Sequence, residues 1–278
     1  MAAIALALSS SLLWGIADFW GGTISRRIAA LAVVTVSQAF GFAGLLALWA
    51  VVGGAPDGRA IWIGAIGGLA GGFGLACFYK ALAIGTMSIV SPISACGAAL
   101  PLVAALATGE RPAIVALAGA PIALAGAVLA SVQEHGAGPG RRRQAVLLAL
   151  ATAVAFGVFL YLLGLAGNGG STFSALFGAR LGSLTLLGCA LVVLRRSPAI
   201  PRGSLAAVAA VGLVDVASNG LFVAASARGL LAIVVVLGSL YPVVTVVLAH
   251  LVHGERISRV QLGGITVALV GVALVSVG

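Results

Sequence analysis

Residues 109–132 read GERPAIVALAGAPIALAGAVLASV, and residues 254–277 read GERISRVQLGGITVALVGVALVSV. Slid by 145 positions, the two stretches share 11 identities in 24 positions. Apolar composition alone gives several such matches. It does not give a charged Gly-Glu-Arg triplet in register with two Gly pairs. A second match, at a shift of 142, sets Trp14-Gly15 on Phe156-Gly157. The chain therefore reads as two copies of one unit, residues 1–132 and 145–278. A polar linker loop at 133–144, QEHGAGPGRRRQ, joins them.

Composition says what each unit is built from. The 278 residues are 62% hydrophobic and 8% charged, with a mean hydropathy of +1.22. A soluble domain carries about 25% charged residues. Disorder needs low hydrophobicity and high charge, and the 40 glycines lack the three-residue period of collagen. Ten apolar segments stand between Gly, Pro and Arg punctuation, at 3–22, 29–52, 60–82, 87–107, 113–132, 145–165, 172–194, 204–226, 230–252 and 258–277. A spanning helix takes roughly 20 residues, so ten use about 200 and leave short connections. The connections at 108–112 and 165–171 are examples. No soluble catalytic domain fits. The dyad alternation of a transmembrane barrel is absent. The fold class is all-α: ten transmembrane helices in two five-helix repeats. Five is odd, so two copies of one fold must sit inverted in the bilayer. Inverted repeats characterise secondary transporters, with substrate held near the midplane where the repeats meet.

The pieces LeuLeuTrpGlyIleAlaAspPhe at 12–19, TyrLysAlaLeuAlaIleGly at 79–85 and the two Gly-Glu-Arg turns recur across nearly the whole chain. In these the sequence resembles the EamA-type branch of the drug/metabolite transporter superfamily. The resemblance implies ten helices, a central cavity and passage of small metabolites; it names no substrate. The two halves differ at one point: Pro242 in the ninth segment matches Gly97 in the fourth, where the nearby prolines are Pro92 and Pro101.

The net charge is +9, from 15 basic and 6 acidic residues. The basic residues lie singly or in short clusters between apolar runs, as topology signals and not as a nucleic-acid footprint. Odd-numbered connections carry 11 of them and even-numbered ones 3. The positive-inside rule puts the odd connections in the cytoplasm, while the family resemblance implies cytoplasmic termini, so orientation stays open. Cys77, Cys96 and Cys189 lie in apolar spans without a CxxC pair and read as small buried hydrophobes. The N-terminal run reads as a first spanning helix of a multi-pass plasma (inner) membrane protein.

Charged residues inside spans are costly and need a reason. Asp18 stands one helical turn after Trp14, so both share a face, suited to a cation or a proton or to the membrane interface. Asp215, Ser218, Asn219 and Phe222 form a stripe at i, i+3, i+4 and i+7. Arg180 has Asp215, Asp18 or a substrate anion as partner, and Gln38 is a weaker candidate. Trp14, Tyr79, Tyr161 and Asn219 are expected to line the site, with Asp18 and Asp215 for coupling and Arg180 for charge balance. Glu110, Arg111, Glu255 and Arg256 are expected to be structural turn residues that satisfy helix ends. The glycines Gly67, Gly68, Gly71 and Gly72 offer close-packing faces that also allow a homodimer.

HExxH, GxSxG and GxxxxGK[ST] motifs are all absent. HisLeuValHisGlyGlu at 250–255 is a helix-end cluster with no counterpart in the first unit. The expectation is therefore a carrier and not an enzyme, with no metal and no cofactor. Its partners are a small-molecule substrate, the lipid bilayer and a coupling proton or cation, with no nucleic acid. A lipid or lipid-linked-precursor flippase is the alternative, with Arg141, Arg142 and Arg143 recruiting anionic headgroups.

Overall fold

The structure, a computed structural model, describes residues 1–130, 139–167, 171–255 and 258–277. All regular elements among these are helical. The first unit comprises α1 (Ala2–Ser25), α2 (Ala30–Val52), α3 (Gly58–Ile84), α4 (Met87–Ala95), α5 (Ala99–Ala107) and α6 (Ile114–Ala130). The second comprises α7 (Pro139–Gly167), α8 (Thr172–Val193), α9 (Arg202–Ser226), α10 (Leu231–Gly238), α11 (Tyr241–His253) and α12 (Arg259–Val277). Expected features that lie outside the described residues are Arg256, the linker at 133–138 and the turn at 168–170. The remainder of the expected linker loop is not a loop: α7 already begins at Pro139 and takes in Arg141, Arg142 and Arg143. Pro-Gly at this point fits a helix start, where the missing N–H of proline costs nothing.

Among the described residues, eight segments are long and apolar enough to cross a bilayer, counting Met87–Ala107 and Leu231–His253 each as one. The other two are α6 and α12, the repeat-matched closing helices, which pack on one another. At 17 residues α6 lies at the lower limit of spanning length. The outer surface carries large apolar side chains such as Trp62, Val103, Val154 and Val192. Water does not tolerate apolar exposure on that scale over a monomer, and lipid does.

The helix packing repeats the sequence symmetry. By order within each unit, α1, α2 and α3 correspond to α7, α8 and α9. In space α1 packs on α9 as α3 packs on α7, and α2 packs on α9 as α3 packs on α8. Likewise α1 packs on α10 and α11 as α7 packs on α4 and α5. The broken helices explain the aromatic-Gly signature. The fourth span breaks through a 3₁₀ turn at Cys96–Ala98, and the ninth breaks between Gly238 and Tyr241. A Cβ on Gly15 would lie 2.7 Å from the Tyr241 carbonyl oxygen, and one on Gly157 would lie 2.6 Å from that of Gly97. Each glycine thus lets a broken helix of the opposite unit press its backbone against α1 or α7. Gly97 and Pro242 differ in chemistry, yet both halves break at matched places.

The Gly-Glu-Arg turns also act across the repeat. Gly109 and Gly254 have φ of +100° and +66°, the region where glycine is least strained. The Glu110 carboxylate accepts from the backbone N–H groups of Leu231 and Ala232, at 3.1 and 2.9 Å. These are the orphan donors of α10, and a carboxylate suits that helix end. The Glu255 carboxylate accepts from the Ser88 hydroxyl at 3.1 Å, at the start of α4. It also pairs with Arg26 at 3.2 Å. Each glutamate therefore ties its turn to the broken helix of the other unit, not to its own hairpin. Arg111 is exposed.

Candidate functional site

Three helices bring the buried polar residues together. The interface of α3 with α8 is closely packed, since a Cβ on Gly68 would lie 2.1 Å from the Ala179 carbonyl oxygen. That proximity carries Arg180 inward. The interface of α2 with α9 is as tight, since a Cβ on Gly212 would meet the Ser37 carbonyl oxygen. This sets Gln38 beside Asp215. The glycine faces named from the sequence are used here, within one chain: Gly67 and Gly71 face Leu162 and Phe159, and Gly72 faces Ser183.

The result is a buried network. Arg180 Nη2 lies 2.8 Å from Asp215 Oδ2. Gln38 Nε2 donates to the same Oδ2 at 3.0 Å. Gln38 Oε1 accepts from Arg180 Nη1 and from the Ser183 hydroxyl. Asn219 Nδ2 donates to the Asp215 carbonyl oxygen at 2.7 Å. Arg180 is 5% exposed, Asp215 8% and Gln38 3%. Of the partners the sequence allowed for Arg180, the structure selects Asp215.

Beside the network lies a cavity of about 640 Å³, counting the open space at its rim. Asp18 and Trp14 enter it from α1, and Phe156 and Phe159 from α7. Arg180 and Ser183 enter from α8, Asp215 and Asn219 from α9, and Tyr241 from α11. Its walls thus come from both units. Trp14 is steadied by Phe222, with ring centroids 5.5 Å apart. The Asp215 stripe splits in function: Asp215 and Asn219 face the cavity, while Phe222 packs on α1 and Ser10 donates to the Ser218 carbonyl oxygen at 2.8 Å.

Two expected residues lie off this cavity. Tyr79 is buried between α3 and α1, its hydroxyl donating to the Ala17 carbonyl oxygen at 3.4 Å and its ring lying over Gly21. Tyr161 is half-buried on α7, packed against the core. Ser183 and Tyr241 line the cavity without having been singled out. The signal for Ser183 was its i+3 spacing from Arg180; for Tyr241 it was the proline that follows. At the edge of the bundle, His253 Nε2 bonds the Thr23 hydroxyl at 2.9 Å, and His250 Nδ1 contacts the Glu255 carbonyl oxygen at 2.6 Å. Among the described residues no group of three or more His, Cys, Asp and Glu is placed to hold a metal ion.

A multi-spanning helical bundle with two matched halves, and between them a largely apolar cavity with three charged side chains on its wall, has the form of a membrane transport protein for small solutes. The model of the EamA-like transporter family matches residues 1–132 and 143–277, and the chain belongs to that family. One solved crystal structure is similar over 99% of this chain and 96% of its own, with a TM-score of 0.77 and 21% identity. At that identity the likeness shows the fold. Comparison with curated proteins by sequence finds no match.

Proposed function

We propose that this chain is a secondary active transporter of the plasma membrane, with ten spanning helices in two inverted five-helix units. It moves a small metabolite or drug-like solute by alternating access, coupled to a proton or cation at Asp18 and Asp215, with Arg180 balancing charge. The observation that carries this reading is the cavity between the units, into which α1, α8 and α9 bring three charged side chains that a bilayer-spanning bundle would otherwise exclude. The crossed bonds of Glu110 and Glu255 to the broken helices support units that rock against each other. A carrier needs such breaks near the midplane, since a bound solute meets free backbone groups there.

The experiment is proton flux in proteoliposomes holding an internal pH dye, challenged with amino acids, polyamines, sugars and amphipathic cations. A solute-dependent pH change is expected, and it is expected to vanish in folded Asp215→Asn. Coupled flux at the wild-type level in that variant refutes the coupling assignment. Lipid scrambling in the same vesicles, with no solute flux, would favour the flippase instead. The exposed Arg141, Arg142 and Arg143 at the start of α7 are suited to meet anionic headgroups there.

A further inference from the structure

Resting on the transporter reading, we propose that the cavity selects a small organic monocation, a primary ammonium group carried on an aromatic or apolar body. The charge balance of the walls leads there. Three charged side chains line the cavity. Arg180 and Asp215 neutralise each other at 2.8 Å, and Gln38 holds both ends of the pair. Asp18, 5% exposed, has no ion pair or hydrogen bond among the described residues. The cavity thus keeps one carboxylate without a counter-charge, neutral only while it holds a proton. An ammonium takes that proton's place and keeps the cavity neutral. A zwitterion leaves the ionised site at minus one, and an anion makes it minus two. In a site walled by hydrocarbon each uncompensated charge is costly.

A second observation concerns hydrogen bonding. Asn219 is 3% exposed and spends its Nδ2 on the Asp215 carbonyl oxygen. Its Oδ1 is buried without a hydrogen-bond partner among the described residues. That is an acceptor in want of a donor, on a residue that lines the same cavity as Asp18. An ammonium with N–H groups satisfies the acceptor and the carboxylate together; a quaternary ammonium satisfies neither hydrogen bond. Arg180 Nε is also unpartnered. It suits a neutral acceptor such as water or a hydroxyl, because its charge is already matched. The rings of Trp14, Phe156, Phe159 and Tyr241 supply the apolar wall. Trp14 stands one turn from Asp18, where an aromatic face also favours a cation.

The test uses ligands that share one body and differ in head group: 2-phenylethylamine, phenylalanine, 3-phenylpropionate and trimethyl(2-phenylethyl)ammonium. Binding to the purified full chain in detergent is read by titration calorimetry. The amine is expected to bind at least tenfold tighter than the zwitterion, the anion and the quaternary cation. Asp18→Asn is expected to weaken the amine about 30-fold or more, the loss for truncating one partner of a buried charge pair. Equal binding of the zwitterion or the anion overturns the inference, as does failure of the wild type to bind the amine. Unchanged affinity in folded Asp18→Asn also overturns it. Should that variant not fold, the head-group series on the wild type decides alone. Amine binding without flux in proteoliposomes rejects transport and keeps the cation site. Flux of other solutes without amine binding does the reverse.

Discussion

The Arg180–Asp215 pair allows a quantitative prediction. Both partners are buried, at 5% and 8% exposure, and among the described residues Gln38 is the one side chain that bonds to each. Replacing Arg180 with Met leaves a buried carboxylate whose only side-chain donor is Gln38. Replacing Asp215 with Leu leaves a buried guanidinium with only the Gln38 oxygen. Each change is expected to cost about 3–5 kcal/mol, the usual loss when one member of a buried pair is removed. The double variant removes both charges and strands only one end of Gln38, since Ser183 still donates to its oxygen. Its cost is expected to be about 1–3 kcal/mol, the desolvation penalty of one unpaired amide. The double variant should therefore be more stable than either single one. Equilibrium unfolding in mixed micelles, followed by helical circular dichroism, measures all four proteins. A double variant that loses the sum of the two single losses would mean that the charges do not compensate each other, and the network as described would be wrong.

Other expectations are simpler to state. Gly182→Val pushes a side chain into the Ala65 carbonyl oxygen, which lies 2.0 Å from the position of a Cβ. It should cost upwards of about 1–3 kcal/mol and broaden the size-exclusion peak. Gly188→Ala, six residues on in the same helix with open space around it, should be tolerated, and an equal loss in both would discredit the packing argument. Glu110→Gln weakens the cap on α10 by about 1 kcal/mol. Faster amide exchange at Leu231 and Ala232, and not at the start of α4, is the result to look for.

Much of the architecture lay in the one-dimensional pattern. Composition specified a helical membrane protein, because no other environment accepts so little charge. The repeat at 109–132 and 254–277 divided the chain, and the odd helix count per unit gave a reason to expect inversion. Asp18, Arg180, Asp215 and Asn219 stood out because a charged or amide side chain within an apolar span has to meet protein or water. Tertiary structure decided who meets whom. Sequence spacing relates residues on one helix only, so it left Arg180 between two carboxylates. The close approach of α3 to α8 and of α2 to α9, at carbonyls where only glycine fits, assigned Asp215 to Arg180 and left Asp18 alone. The contact of α1 with α3 enclosed Tyr79, and that of α1 with α11 brought Tyr241 to the cavity wall. The Gly-Glu-Arg turns were visible as a motif. That each glutamate serves the opposite unit was not, because the partner lies 121 residues away for Glu110 and 167 for Glu255, a separation that only the folded bundle closes.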